Sequence, residues 1–223
     1  MEPYIVPLIL LALVTTGGYF WGRKKNRWIG AWIARETEAA LRPKETEYVN
    51  IGGCIGYHFT YALAAPFREA KGTFTLLPRH SLLYLPISFL IRRHDRFYLQ
   101  IFTDERLPGE GHILREDYYL KDKDRIAGAE AMRRDRVVIG TKAYVLLWKH
   151  SGLDRRLRRL LERLEGRGET LLHVCCYPGN RNFFVYIAPV HGRLEPLLRT
   201  AVEELKTWLV TGGGDGSGDA EKN

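Results

Sequence analysis

The chain has 223 residues, room for one ordinary domain and a short appendage but hardly for two domains. Hydrophobic residues make up 45% and aromatics 12%, ample for a packed core, so the composition argues against a disordered chain. The net charge of +8, from 34 Lys and Arg against 26 Asp and Glu, favours an anionic neighbour such as a lipid surface or nucleic acid. Three cysteines cannot complete a disulfide framework and fit a reducing compartment.

Pro3 to Gly22 carries no charged residue, and Ile5 to Val14 is almost wholly aliphatic. About 20 such residues, at about 1.5 Å rise each, match a bilayer core of about 30 Å. A cleaved signal peptide would put its positive residues first. Here only Glu2 follows the start, and Arg23, Lys24, Lys25 and Arg27 come after the apolar run. The pattern is that of a retained anchor with its basic flank in the cytosol, the N-terminus outside and the bulk of the chain inside. Tyr19, Phe20, Trp21, Trp28 and Trp32 flank the boundary. The last two suit either an interfacial belt or the core of the following helix.

Arg23 to Leu41 has no proline and is rich in helix formers, so the anchor helix is expected to run on until Pro43. Glu47–Ile51 and Gly56–Ala62 read as strands around Gly52 and Gly53, and Phe67–Leu77 as a third. Ser81–Ile91 is apolar but contains Pro86, which predicts a short or broken helix. Arg96–Thr103 alternates as a strand does, Phe97, Leu99 and Ile101 against Tyr98, Gln100 and Phe102. A loop at Leu107–Gly111 is followed by a predicted helix over Lys123–Met132, then strands at Val137–Ile139 and Tyr144–Trp148. Leu153–Leu164 is an amphipathic helix. Thr170–Tyr177 and Phe183–Val190 form a hairpin about Pro178, Gly179 and Asn180, and Leu194–Leu209 is a closing helix. From Thr211 the tail is Gly-, Ser- and Asp-rich and is expected to be disordered. The expected fold is α+β: an anchor at 1–22, a juxtamembrane helix at 23–43, a cytosolic domain at 44–210 and a tail at 211–223.

No catalytic motif emerges. His173 and Cys175 share one face of their strand, the nearest approach to a metal pair, but zinc needs three or four ligands and no second pair has suitable spacing. No metal or other cofactor is therefore expected. Cys54 and His58 have no spacing that fixes a nucleophile beside a base. Gly52–Gly56 lacks both the P-loop ending and the dinucleotide-binding spacing. Asp104-Glu105 and Glu116-Asp117 each adjoin an arginine, Arg106 or Arg115, and read as solvated loop charge.

Leu153–Arg167 is more informative. Leu153, Leu157, Leu160, Leu161 and Leu164 form a core-facing stripe, and Arg155, Arg156, Arg158, Arg159 and Arg163 occupy the rest of the circumference. Asp154, Glu162 and Glu165 are too few to consume those arginines, which leaves cations suited to RNA or lipid phosphate. A solubilising outer face is the alternative. Leu82–Ile91 is too short to span a bilayer and reads first as a core helix. Its other reading is a segment touching the membrane underside or the mouth of another membrane protein, with Arg92, Arg93 and Arg96 as a headgroup-facing edge.

The apolar span ending in Gly22-Arg23-Lys24-Lys25-Asn26-Arg27, followed by Ala31-Trp32-Ile33, resembles the calumin family. These are coiled-coil-domain-containing membrane proteins of the endoplasmic reticulum that form the PAT complex with the small membrane protein Asterix. The similarity continues in order and hydrophobic pattern through Arg79–Ile91, Arg96–Asp104 and Leu171–Leu209. It implies a single-pass, non-enzymatic chaperone component with its N-terminus out and its domain in the cytosol. Such a component assists insertion and folding of multipass proteins beside the Sec translocon and the ribosome. The implied partners are membrane lipid, the translocon, an Asterix-like membrane protein and ribosomal RNA, with no DNA. The family's acidic lumenal segment and long charged coiled coil have no counterpart in this sequence, so neither calcium binding there nor tunnel contacts carry over. The pattern looks like that of a compact prokaryotic, even archaeal, relative. The alternative is a membrane-tethered domain that binds anionic lipid or a regulatory ligand.

Overall fold

The computed structural model describes residues 4–122, 126 and 128–209. Helix α1 (Ile5–Leu41) is one continuous rod of 37 residues, about 55 Å at the usual rise. Its first half is long and apolar enough to cross a membrane, with Leu8, Leu10, Leu13, Phe20 and Trp21 exposed. From Gly22 the character changes: Gly22, Asn26, Ile29, Gly30, Ile33 and Thr37 form a buried stripe at helical spacing. The segment expected to be a juxtamembrane stalk is thus part of the folded core, and a boundary at residue 43 divides no packing unit. Trp32 is buried in the core, and Trp28 is exposed.

The rest is a nine-stranded, wholly antiparallel sheet. In chain order its strands are β1 (Glu45–Asn50), β2 (Gly56–Ala62), β3 (Phe67–Thr75), β4 (Arg96–Thr103), β5 (Gly111–Arg115), β6 (Arg133–Ile139), β7 (Lys142–Trp148), β8 (Leu171–Tyr177) and β9 (Asn182–Ile187). Their order across the sheet is β1-β2-β3-β4-β9-β8-β5-β7-β6. The remaining helices are α2 (Tyr84–Arg92), α3 (Glu116–Asp122), α4 (Leu153–Arg163) and α5 (Leu194–Lys206). One sheet face carries Phe59, Phe74, Phe97, Leu99, Ile101 and Val185. It is covered by the second half of α1, by α4 through its leucine stripe, and by α5. Glu36 of α1 accepts the backbone N–H groups of Gly192, Leu194 and Glu195 at the start of α5, satisfying donors that a helix N-terminus leaves open. On the opposite face, Tyr118, Tyr119 and Met132 pack over β5 and β7 around Leu114, Val145 and Leu147. No described helix covers the part of that face on β2, β3 and β4.

Two sequence expectations change here. The helix expected over Lys123–Met132 lies earlier, at Glu116–Asp122, and the described part of the expected span is a single 3-10 turn at Ala129–Ala131. Lys123–Arg125, Ala127 and the tail from Thr211 lie outside the described residues. Strand β5 was not expected at all, yet it is central and buried between β8 and β7. Buried on both faces, it shows no alternation to read.

Candidate functional site

Where α1 passes from exposed to buried, it meets the segment that leads into α2. Gly18 and Gly22 lie one turn apart on the same face. A Cβ on Gly22 would overlap the Arg79 carbonyl, and one on Gly18 would overlap the Leu82 side chain. One turn on, the fully buried Asn26 donates from Nδ2 to the Leu77 carbonyl (2.9 Å) and accepts at Oδ1 from Arg79 Nη1 (3.1 Å). The Arg79 guanidinium is held by Asp95 at 2.9 and 2.8 Å, and Asp95 Oδ1 also accepts the Leu77 N–H (2.8 Å). Asn26 and Arg79 were legible in the sequence only as members of the resembling segments, without a role, and Asp95 was not singled out. The one local signal was an amide set among the basic residues of a helix.

This clasp ties the segment leading into α2 to α1. Helix α2 was expected first as a core helix, and that expectation fails. Leu83, Tyr84, Ile87, Phe89, Leu90 and Ile91 are exposed, Leu83 and Leu90 at 82% and 81%. Pro86 falls in its first turn, where no N–H is missed, so the helix is unbroken. Arg92 ends it, with its side chain outside the described part of the structure. Lys24, Lys25 and Arg27 are exposed on α1, Lys25 Nζ lies 4.3 Å from the Trp28 ring centroid, and Arg23 donates to the Tyr19 hydroxyl at 3.0 Å.

Behind α2 the uncovered sheet face closes into a cleft of about 440 Å³, walled by Leu90 and Ile91 on one side and by Tyr118 on the other. Arg93, Arg96 and Arg115 converge on it. Arg115 is held by Asp117 at 2.6 and 2.9 Å. Among the described residues neither Arg93 nor Arg96 has a carboxylate partner, and Arg96 Nε is buried without a hydrogen bond. The stacked rings of Tyr98 and Tyr186, 4.6 Å apart, form part of the lining. His94 Nε2 lies 3.2 Å from the Tyr186 hydroxyl. Burial, and then the charges of Arg96 and Arg115, lower the His94 pKa from its ordinary value.

The α4 arginines behave differently from expectation. Arg158 pairs with Asp135 of β6. Arg163 meets Glu203 and Glu204 of α5 at 3.3 and 3.0 Å, and Arg159 reaches Glu204 at 3.3 Å. Arg156 donates to the Trp208 carbonyl at 2.7 Å. Only Arg155 has no such partner among the described residues. Acids from other elements therefore engage Arg158, Arg159 and Arg163, and a backbone carbonyl holds Arg156, so most of the surplus read from the helix alone is taken up. Glu204 is 1% exposed, so Arg163→Ala leaves a buried carboxylate short of its main partner. The expected cost is about 3 kcal/mol in thermal or denaturant unfolding, against under about 0.5 kcal/mol for Arg155→Ala.

The expected facing of His173 and Cys175 holds, and the fold adds His112 from β5, with donor atoms of all three within 4.8 Å of one another. His112 nevertheless uses its two ring nitrogens in opposite directions. Nδ1 lies 3.1 Å from His173 Nε2, while Nε2 faces Cys175 Sγ (3.8 Å) and Glu110 Oε1 (3.5 Å). A single ion would need that ring to turn. As built, the trio is a hydrogen-bonded chain ending on Glu110 and Lys149. Burial pushes the Cys175 thiol far above its ordinary pKa, which suits an inert core residue. Cys54 is likewise not beside His58: its Sγ lies 3.6 Å from His80, and His58 bonds Thr73. Glu116 and Asp117, expected as loop charge, open α3 and pair with Arg136 and Arg115.

No protein-family model and no curated protein matches the chain.

Proposed function

We propose that the protein is a single-pass membrane protein, N-terminus outside and domain in the cytosol, that assists insertion and folding of multipass membrane proteins from within the cytosolic leaflet. In this reading it is a calumin-like chaperone component that works beside the Sec translocon and the ribosome with an Asterix-like partner. The observation that carries it is α2. A largely apolar helix with five exposed apolar side chains, and Leu83 exposed just before it, follows directly on a segment clasped to α1 at the turn where basic residues begin, the depth at which interfacial helices lie. Water is a poor environment for that surface. Lipid, or an apolar segment of a client, is a good one. The orientation rests on Arg23, Lys24, Lys25 and Arg27. Ribosomal RNA contact falls mainly to Arg155, since the other α4 arginines have internal partners.

The native cysteines are all buried, so introduced ones report cleanly. In sealed membranes with the cytosolic face outward, Leu83→Cys and Leu90→Cys are expected to resist a membrane-impermeant maleimide and to label after detergent. Val49→Cys, exposed on β1, should label in both conditions. Equal labelling of all three in sealed membranes would remove α2 from the leaflet. Photo-crosslinkers at the same α2 positions should capture multipass proteins or the translocon, and capture of lipid alone would leave the chaperone role without support.

A second reading, a tethered domain that binds anionic lipid, is favoured by the cleft behind α2.

A further inference from the structure

We propose that the cleft between α2, α3 and the sheet binds the phosphate of an anionic phospholipid, with the acyl chains leaving along Leu90 and Ile91. The inference rests on α2 lying in the leaflet and gives the lipid a defined seat. Three features point to a phosphate. Arg93, Arg96 and Arg115 bring three guanidinium groups to one cleft, and the one acid among its described lining residues, Asp117, is already engaged by Arg115. Guanidinium groups match phosphate oxygens with paired N–H donors. Among the described residues Arg96 Nε is a buried donor with no acceptor, an arrangement that is costly unless something fills it.

The cleft's position points to a lipid rather than a soluble phosphate. Asp95, next to Arg96 in sequence, holds Arg79, and Arg79 holds Asn26 of α1, so the cleft sits within the segment anchored at the apolar-to-basic turn of that helix. One wall is the apolar α2 and the others carry the cations and the hydroxyls of Tyr98 and Tyr186. That is the division a phospholipid has between chain and headgroup. The volume of about 440 Å³ is in the range of small-ligand sites and accommodates a phosphoglycerol group.

The test uses the full-length protein in a neutral, non-ionic detergent, with retention of added phosphatidylglycerol or phosphatidylcholine followed by native mass spectrometry. Phosphatidylglycerol should be retained selectively. Arg93→Gln, at an exposed position that leaves the fold intact, and Arg96→Gln should each weaken it about tenfold or more, while Arg155→Gln, an equal loss of charge outside the cleft, should not. Equal weakening by all three variants would mean diffuse charge attraction and overturn the proposal, as would unchanged binding in both cleft variants. Displacement of the lipid by equimolar inorganic phosphate would identify a soluble anion as the ligand, and displacement by short RNA would identify a nucleic-acid surface. Either result overturns the lipid assignment. The labelling of Leu83→Cys and Leu90→Cys is read separately. Protected α2 with no selective lipid retention rejects only the cleft, whereas labelled α2 rejects the reading beneath it.

Discussion

Gly22→Val is expected to separate the segment leading into α2 from α1 and to destabilise the whole domain. The new side chain would occupy the space of the Arg79 carbonyl, which is backbone and cannot swing aside as a side-chain tip can. The segment Leu77–Leu82 must then move. With it would go the Asn26–Leu77 hydrogen bond and the contact between Arg79 and Asn26. Arg79 and Asp95 are only 16% and 11% exposed, so disturbing their seat costs more than a surface pair would. The overlap and the lost buried hydrogen bonds together amount to about 3–5 kcal/mol. In a chain of this size that is a fall of about 6 °C or more in Tm. The measurement is thermal unfolding of the detergent-solubilised full chain, with Gly17→Val as control, because nothing lies within 4 Å of a Cβ at Gly17. Equal Tm values for the two variants would show that the clasp does not hold the fold together.

The second large effect is one of pH. His173 is 7% exposed, stacked at 5.3 Å on His112 and edged by Phe184, and burial pushes its pKa down from 6.5 to about 3. Burial lowers the His112 pKa as well, against the pull of Glu110. The native state refuses a proton that the unfolded chain accepts. Stability is therefore complete above about pH 6.5 and drains away as pH falls toward 3. Between pH 7 and pH 5 the loss from His173 alone is about 2 kcal/mol, or about 4–8 °C in Tm. Glu110 works in a lower range: burial opposes its ionisation, but Lys149 and His112 hold its pKa below the ordinary carboxylate value. His173→Gln keeps an amide near the His112 ring and removes the titration. Its Tm should fall less between pH 7 and pH 5 than that of the unaltered protein, and an identical fall in both would place the acid sensitivity elsewhere.

The expectations that held and those that failed differ in kind. The leucine stripe of α4, the alternation of β4 and the shared facing of His173 and Cys175 were all legible, because each follows from a local period of 3.6 or 2. β5 was hidden because Ile113 and Leu114 are both buried, one in each core, so its period vanishes. Exposed α2 was mistaken for a core helix because apolar composition says that water is avoided, not what replaces it.

The chain's long apolar segment, its basic flank and the continuity of that helix into the domain are properties of the sequence itself, since hydropathy and helix propensity act residue by residue. Which charges remain available is not. Asp135, Glu203 and Glu204 reach the α4 arginines from positions 23 to 41 residues away, and only the packing of β6 and α5 against α4 brings them together. The same long-range pairing carries His112 to His173 and, among the described residues, leaves Arg93 and Arg96 without a carboxylate partner beside an apolar helix. Coulomb and hydrogen-bond energies depend on distance in space, so the sequence named the cations and the tertiary structure decided which of them are open to a partner.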